Sequence, residues 1–387
     1  MKIKIITCHD VNNYGASLQA YALQTFLQQH GHEVEVIDYL PYYKIDRLRF
    51  FEYNRTKGKI HSVVSLMPFL KPLIGLYDHL HNSKFRGDYR FYKKKNSFDL
   101  FKRNYINCTK KAYRKFLDLQ KNPPVADLYI AGSDQIWNSV AQNGRDEAYY
   151  CAFIPKGSRC ISYAASFGTS YIPEKLREFV ALQLSRFSAI SVRERSGVDI
   201  VKGLGMSATE VLDPVFLLDK TYWERLLKNR HAEDKYLLVY DLDMNHPGVK
   251  RLCQYLAKAN NWKIYSLNDF CICPYADYNI NSAGPIEFLE WIRDAQFIVC
   301  TSFHGSAFSV IFNKQFYTFP LYGQTNHARM ENFLQKMGIA DHYVKDIIRE
   351  DSLTDIKYQE VNTLVVKNKE YSINWLLDNM KEVLCDE

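Results

Sequence analysis

Short apolar runs alternate with segments of helical periodicity along both halves of this 387-residue chain. Residues 3–8 have the continuous apolar pattern of a buried strand, and the apolar side chains of residues 16–29 recur at helical spacing. A second strand-like run at 33–39 completes a strand–helix–strand unit. Parallel strands joined by helices build sheets with helices on both faces, so the pattern predicts a doubly wound α/β fold.

The chain is too long for one such sheet. Single cores stop growing at roughly 250–300 residues, which favours two domains. A second alternating unit follows Asp213-Pro214, a pair that disfavours helix because proline restricts the residue before it. We therefore predict two Rossmann-like domains that face each other across a cleft. Their bounds are 1–212 and 213–387, the second ending in an amphipathic helix at 374–384.

Residues 40–122 interrupt the alternation and carry an unusual charge. This segment has 20 Lys and Arg against 6 Asp and Glu, a net +14 in a chain of net +7. It contains an apolar stretch at 63–77, which is shorter than the roughly 20 residues that span a bilayer. One interpretation is an insertion that docks on an anionic membrane surface. The alternative is a solvated insertion whose apolar stretch packs in the core. The basic residues expected to face lipid headgroups are Lys71, Lys84, Arg86, Arg90 and Lys93 to Lys95.

The chain has 9 cysteines and no CxxC pair, which argues against a structural zinc site. A disulfide framework is not expected at this length, and the apolar run at the start is too short for a signal peptide. These features favour a cytoplasmic protein, placed peripherally on the inner membrane face if the basic segment docks there. We expect no nucleic-acid partner.

Polar side chains follow the predicted strands, at the edge where parallel sheets bind ligands. No GxGxxG and no Walker lysine occurs, so a standard dinucleotide or P-loop site is not supported. The residues that follow strands are Asn12, Asn13, Ser133, Asp134, Ser166, Arg193, Arg195, Ser302 and His304.

At three places along the chain, the polar side chains suit binding or catalysis. Arg193 and Arg195 on one face of a strand would grip a phosphate or carboxylate between two guanidinium groups, unless they form a surface ion-pair cluster. Asp134 suits a general base, or else a turn cap. His304 follows an apolar strand and precedes a helix, which suits an acid, a base or a phosphate contact. A structural histidine is the alternative.

Five motifs occur in a characteristic order. They are NYGASLQAYAL at 13–23, GSDQIWN at 132–138, SVRERSG at 191–197, DPV at 213–215 and SFHG at 302–305. In order and spacing the chain resembles the polysaccharide pyruvyl transferase family, apart from the basic insertion and the C-terminal tail.

The resemblance implies two Rossmann-like domains similar to GT-B glycosyltransferases. It also implies transfer of pyruvate from phosphoenolpyruvate onto two hydroxyls of a sugar, giving a cyclic ketal in capsular or exopolysaccharide biosynthesis. The acceptor in such families is often lipid-linked, and no metal or organic cofactor is needed. Many members have an arginine where Ser302 stands, and Arg195 or Arg329 are the candidates to replace it.

We therefore assign roles as expectations. His304 and Asp134 are the catalytic candidates, acting as acid and base. The donor-binding candidates are Arg193, Arg195, Ser302, His304 and Gly305. The acceptor-binding candidates are Asn12, Asn13, Tyr14, Ser133, Asp134 and Gln135.

Two other functions fit the same sequence. A GT-B glycosyltransferase that uses a nucleotide sugar would share the cleft and the anion-binding helix starts. A degenerate member that binds glycan without catalysis would explain Ser302 in place of the arginine.

Overall fold

The computed structural model describes residues 1–41, 43, 89–242, 246–267, 272–321, 328–349 and 352–381. The predicted apolar stretch at 63–77, together with Lys71, Lys84 and Arg86, lies outside these residues. Within them, no helix is both long enough and apolar enough to cross a bilayer.

Four parallel strands form the sheet of the first unit, in the order β2-β1-β3-β4. The central strand β3 is buried on both faces and reads as a continuous apolar run, whereas the edge strand β2 alternates buried valines with more exposed glutamates. A short parallel pair, β5-β6, extends this sheet through isolated bridges beside β4. The strands are β1 (Lys2–Ile6), β2 (Glu33–Val36), β3 (Leu128–Ala131), β4 (Arg159–Ser162), β5 (Ser191–Val192) and β6 (Thr209–Glu210).

Helix α1 (Tyr14–Gln29) follows β1 and is buried along nearly its whole length. The side chain of Asn13 caps its first turn by accepting a hydrogen bond from the Ala16 amide at 3.0 Å. Gly31, with φ of +81°, takes the left-handed conformation that ends many helices. A helix buried all round must be covered on two sides, and α1 lies between the two units. The other helices of the first unit are α2 (Tyr89–Tyr105), α3 (Phe116–Lys121), α4 (Arg177–Leu184) and α5 (Arg195–Gly203).

The second unit has a five-stranded parallel sheet in the order β11-β10-β7-β8-β9. Two parallel sheets with intervening helices confirm the predicted fold of two Rossmann-like units. The strands are β7 (Tyr236–Tyr240), β8 (Lys263–Leu267), β9 (Tyr278–Ile280), β10 (Phe297–Cys300) and β11 (Gln315–Thr318). The helices are α6 (Lys220–Leu226), α7 (Pro247–Asn260), α8 (Pro285–Asp294), α9 (Phe303–Ile311), α10 (Ala328–Lys336) and α11 (Tyr358–Lys381).

The last helix, α11, is much longer than the predicted 374–384 and returns to the first unit. Ser372 accepts a hydrogen bond from the Leu212 amide at 2.9 Å, and the rings of Trp375 and Tyr163 lie 6.4 Å apart. The proposed domain boundary at 212/213 falls beside this contact, between β6 and a short 3₁₀ helix at Pro214–Phe216. The C-terminal helix therefore ties the two units together rather than packing on the second alone.

Tyr14, the first residue of α1, carries much of the contact between the units. Its ring stacks on Phe288 of α8 at 4.4 Å and 11°, and its hydroxyl donates to the Ala283 carbonyl at 3.1 Å. Stacked aromatic pairs of this kind contribute about 0.5–1.5 kcal/mol beyond their buried area. The carboxyl edge of the first sheet is thereby held against the second unit.

Helix α2 belongs to the predicted basic insertion, and its described part packs on both units. Lys102 donates to Asp10 at 2.8 Å and to Asp38 at 3.0 Å in the first unit. Ser97 reaches the Ser282 carbonyl of the second unit at 3.4 Å. The expectation that Lys93 to Lys95 all face lipid headgroups is wrong for Lys94, which is buried with its ammonium 4.8 Å from the centre of the Tyr14 ring.

The Asp38 carboxylate is the most strongly stabilised charge in this contact. Burial raises its pKa, but His9, whose Nε2 lies 3.6 Å from Oδ1, and Lys102 outweigh burial and lower the pKa to about 2.

Candidate active site

The two sheets bring their carboxyl edges together at one cluster of charged side chains. Ser133 and Asp134 follow β3, and Arg193 follows β5. Asp213 precedes the 3₁₀ helix that leads into the second unit, and His304 lies in the first turn of α9, just after β10. Residues that are far apart in sequence meet because each follows a strand of a parallel sheet.

Asp213 is at the centre of the cluster. Its Oδ2 accepts hydrogen bonds from Arg193 Nη1 at 2.8 Å and Ser133 Oγ at 3.1 Å, and lies 3.5 Å from His304 Nε2. Its Oδ1 accepts from the Val215 amide at 3.1 Å. Burial raises the pKa of Asp213, but His304 and then Arg193 outweigh it and hold the pKa well below its usual range. Asp213 is therefore a permanent carboxylate.

Arg193 is buried but only partly paired. Its side chain is 1% exposed. Its Nε lies 3.9 Å from Glu194 Oε2 and its Nη2 lies 3.9 Å from Asp134 Oδ1, both beyond hydrogen-bond distance. Neither nitrogen has a hydrogen-bond partner among the described residues. Buried donors without partners are costly, so two of them on one cation indicate a place for a ligand's acceptor oxygens.

His304 fits against a glycine of the other unit. A Cβ added to Gly15 would lie 1.9 Å from His304 Nδ1, so only glycine leaves room for the ring. The Nε2 atom is buried and has no hydrogen bond among the described residues, its nearest acceptor being Asp213. The histidine is held in place on one side by α1 while its Nε2 faces the cluster.

Asp134 has the most open carboxylate of the cluster, with 22% of its side chain exposed. Its φ of +72° lies in the left-handed region, which is uncommon for a residue with a side chain. The backbone is fixed there because the Asp134 carbonyl accepts from the amides of Ile136 at 2.8 Å and Ser166 at 3.0 Å. Such strained positions concentrate at functional sites.

Three predicted donor-binding residues have other contacts. Arg195 begins α5, points to solvent with 66% of its side chain exposed and pairs with Asp199 at 3.6 Å. It does not share a face with Arg193, because β5 ends at Val192 and the chain has turned into the helix. Ser302 caps α9 by accepting from the Gly305 amide at 3.4 Å, which occupies that amide and leaves the Ser302 O–H as a donor.

The predicted acceptor residues are divided between the cluster and the interface. Ser133 is buried and donates a hydrogen bond to Asp213, while Gln135 follows Asp134 and contacts α10. Tyr14 is buried between the units, while Asn13 caps α1. Asn12 lies in the partly exposed turn before that helix. Of this set, Asp134 is the side chain beside an unpaired nitrogen of Arg193, whereas Gln135 contacts Arg329.

The sequence matches one family model, polysaccharide pyruvyl transferase, over residues 13–321. This chain belongs to the polysaccharide pyruvyl transferase family. The match spans about four fifths of the chain and includes every motif on which the resemblance was stated, so that prediction is confirmed. A search of curated proteins found no match to the sequence.

Several solved structures are similar to this chain at low sequence identity. A S. aureus MnaA–UDP co-structure has 9% identity and a TM-score of 0.49, with 94% of this chain and 86% of that chain covered. UDP-GlcNAc 2-epimerase from Neisseria meningitidis has 12% identity and a TM-score of 0.48, with both chains fully covered. E. coli heptosyltransferase WaaC with ADP has 12% identity and a TM-score of 0.40, with 95% and 100% covered. These values are too low to bear on function.

Sequence reasoning missed two members of the cluster. Asp213 was noted only as part of a boundary and a motif, although an aspartate before proline at the end of a unit is a signal that could have been used. Glu194 accepts hydrogen bonds through Oε1 from Ser166 Oγ and the Phe167 amide, both at 2.9 Å. Among the described residues, no group of three or more His, Cys, Asp and Glu has the arrangement of a metal site.

Proposed function

We propose that this pyruvyl transferase moves pyruvate from phosphoenolpyruvate onto two hydroxyls of a sugar, forming a cyclic ketal. The observation that carries the proposal is Arg193, a buried cation with two unpartnered nitrogens that lies between a carboxylate and a histidine. Phosphoenolpyruvate offers a carboxylate and a phosphate, the two groups whose oxygens match a guanidinium edge.

In this proposal Asp213 holds the other groups in place. Its hydrogen bond at Arg193 Nη1 leaves Nε and Nη2 directed away from it and available to the donor. Its carboxylate lies 3.5 Å from His304 Nε2 and is therefore placed to orient the imidazole. Asp213 is a positioning residue that does not itself touch the reacting atoms.

The chemistry then divides between His304 and Asp134. Protonated His304 gives its proton to the methylene carbon of phosphoenolpyruvate, which makes the adjacent carbon electrophilic. The first sugar hydroxyl adds to that carbon as Asp134 takes its proton. The carbon–oxygen bond to phosphate then breaks, the second hydroxyl adds, and its proton leaves with phosphate or solvent. One phosphoenolpyruvate and one diol give one ketal and one inorganic phosphate, with no oxidant or reductant needed.

The proposal includes the physiological setting that the family implies. The acceptor is a sugar of a glycan precursor, which we propose to be lipid-linked, made during capsular or exopolysaccharide biosynthesis. The +14 segment at 40–122 supports a site of action at an anionic membrane surface.

Calorimetric titration with phosphoenolpyruvate tests donor binding without knowledge of the acceptor. Arg193→Lys keeps the charge but loses the planar fork, so we expect affinity to fall about tenfold to a hundredfold. Arg195→Lys is the matched control, an exposed arginine two residues away that should leave affinity unchanged. Equal affinities for both variants would remove Arg193 from the donor site.

Turnover is tested with phosphoenolpyruvate and a panel of glycosides that differ in the configuration of their hydroxyl pairs. We expect phosphate release that depends on one acceptor, and a product heavier than that acceptor by one pyruvate less one water. A protein that ignores phosphoenolpyruvate but transfers sugar from a nucleotide sugar would be a glycosyltransferase instead. Glycan binding with neither reaction would indicate a binding protein.

A further inference from the structure

Arg329 places a second guanidinium beside Arg193, and it comes from the other unit. It lies in the first turn of α10 and is partly buried. The centre of its guanidinium lies 5.7 Å from the ring centroid of Phe303, while that of Arg193 lies 4.6 Å from the same ring. One aromatic side chain therefore supports two cations that come from different units.

Within the described part of the chain, the charge of Arg329 has no carboxylate partner. A guanidinium only donates hydrogen bonds, so the Gln135 amide presents its oxygen and accepts from both terminal nitrogens, at 2.5 and 3.3 Å. Among the described residues, none of the carboxylates nearby reaches Arg329 as an ion pair. Burial, followed by the repulsion of Arg193, lowers the pKa of Arg329 to about 10, so the group remains charged at neutral pH.

Two neighbouring carboxylates already accept hydrogen bonds, whereas Asp134 Oδ1 and Glu194 Oε2 each lie 3.9 Å from Arg193, beyond hydrogen-bond distance. Asp213 accepts from Arg193 and Ser133, and Oε1 of Glu194 accepts from Ser166 and the backbone. Two like charges packed on one ring repel each other, and the cost persists unless an anion joins them. The unpartnered Nε and Nη2 of Arg193 show where acceptor oxygens are missing.

We propose that Arg193 and Arg329 form a clamp that binds one anionic group of the donor between the two units. Because each guanidinium offers a flat edge, a carboxylate or phosphate accepts charge-assisted hydrogen bonds from both and removes their repulsion. Ser302 caps α9 and supplies no positive charge to this clamp. The clamp rests on the proposed donor, phosphoenolpyruvate, and it makes donor binding depend on the relative position of the two units.

Arg329→Gln tests the clamp, with the exposed Arg195→Gln as its control. We expect the dissociation constant for phosphoenolpyruvate to rise about tenfold to a hundredfold in Arg329→Gln and to stay unchanged in Arg195→Gln. If both arginines grip one group, Arg193→Lys and Arg329→Gln together lose less affinity than the sum of the single losses.

Thermal unfolding separates this role from a structural one. A charge that is partly buried without an ion pair does not stabilise the free protein, so Arg329→Gln should unfold at the same or a higher temperature than wild type. Phosphoenolpyruvate should raise the unfolding temperature of wild type far more than that of the variant. A lower unfolding temperature with unchanged affinity overturns the clamp and makes Arg329 a structural residue.

Titration with inorganic phosphate distinguishes failure of the clamp from failure of the proposed donor. Loss of phosphoenolpyruvate affinity in Arg193→Lys but not in Arg329→Gln overturns the clamp and leaves the donor standing. Binding of phosphate that depends on Arg329, with no binding of phosphoenolpyruvate, supports the clamp and overturns the donor. Wild-type protein that binds neither overturns both.

Discussion

Replacing Gly15 by alanine tests whether the placement of His304 controls turnover. The new methyl group would lie 1.9 Å from Nδ1 of the imidazole, where ordinary contacts begin at 3.4 Å. The ring or the start of α1 must therefore move by about 1.5 Å. A shift of that size takes His304 out of its position 3.5 Å from Asp213. Displacing a reacting group by about 1 Å costs about a hundredfold in rate, so we expect a loss of at least that size.

Stability should change much less than turnover. Alanine in place of glycine stabilises a helix by about 0.5–1 kcal/mol, while overpacking costs about 1–3 kcal/mol. The net loss of one or two kcal/mol leaves most of a typical protein folded. Steady-state phosphate release and urea unfolding measure the two effects.

Gly203→Ala is the control for this substitution. Gly203 also lies in a helix, at the end of α5, and an added Cβ there would meet no atom within 4 Å. This variant should be unchanged in rate and slightly more stable than wild type. If the Gly15→Ala variant turned over at the wild-type rate, the position of the imidazole would not control the rate and the reasoning would be refuted.

Further predictions concern the same cluster and its surroundings. His304→Gln should lower turnover about 10²–10⁴-fold with unchanged urea stability, as for loss of a general acid, whereas unfolding would make the histidine structural. Asp213→Asn should lower the free energy of unfolding by about 3–5 kcal/mol, because it leaves Arg193 as an uncompensated buried charge; urea titration measures it. The Asp38 carboxylate has its pKa lowered to about 2, so its stabilising contribution is present above about pH 4 and is lost as the pH falls towards 2. In Asp38→Asn the free energy of unfolding should depend less steeply on pH in that range. An acid transition identical to that of wild type contradicts this. If the segment 40–122 docks on membranes, the protein should sediment with anionic but not neutral vesicles, and salt should weaken the binding.

The sequence predicted the sheets well because their strands are buried on both faces. The run at 3–8 was predicted as a buried strand, and β1 lies at Lys2–Ile6. Helix α11 was predicted only from 374, although Tyr358, Val361 and Val365 recur at helical spacing in its first half and pack on the core. Lys94 was misplaced because a lysine in a basic stretch gives no sign that an aromatic ring of another element covers it.

The residues of the candidate site could be predicted where their position depends only on coming directly after a strand. Asp134, Arg193 and His304 were predicted to lie at one edge because each follows a strand, and the structure brings them together around Asp213. The direction of Arg195 could not be predicted, since it depends on where a two-residue strand turns into a helix.

The position of Arg329 was also beyond sequence reasoning, although the residue was named as a candidate. Its guanidinium reaches Phe303 and Gln135 only through tertiary packing of α10. Gly15 likewise gives no sign in sequence of the imidazole that it admits. The contacts of Arg329 with Gln135 and of Gly15 with His304 cross from one unit to the other, so the spacing of residues along the chain carries no information about them.

The location of these contacts bears on how the site works. Arg193 and Asp134 belong to the first unit, whereas His304 and Arg329 belong to the second. A change in the angle between the units would separate the proposed acid from the proposed base. It would also move the two guanidinium groups apart. Helix α2 crosses this junction through Ser97, and helix α11 crosses it through Ser372. Since both helices lie outside the two sheets, they can set the spacing of the catalytic groups without contacting any of them.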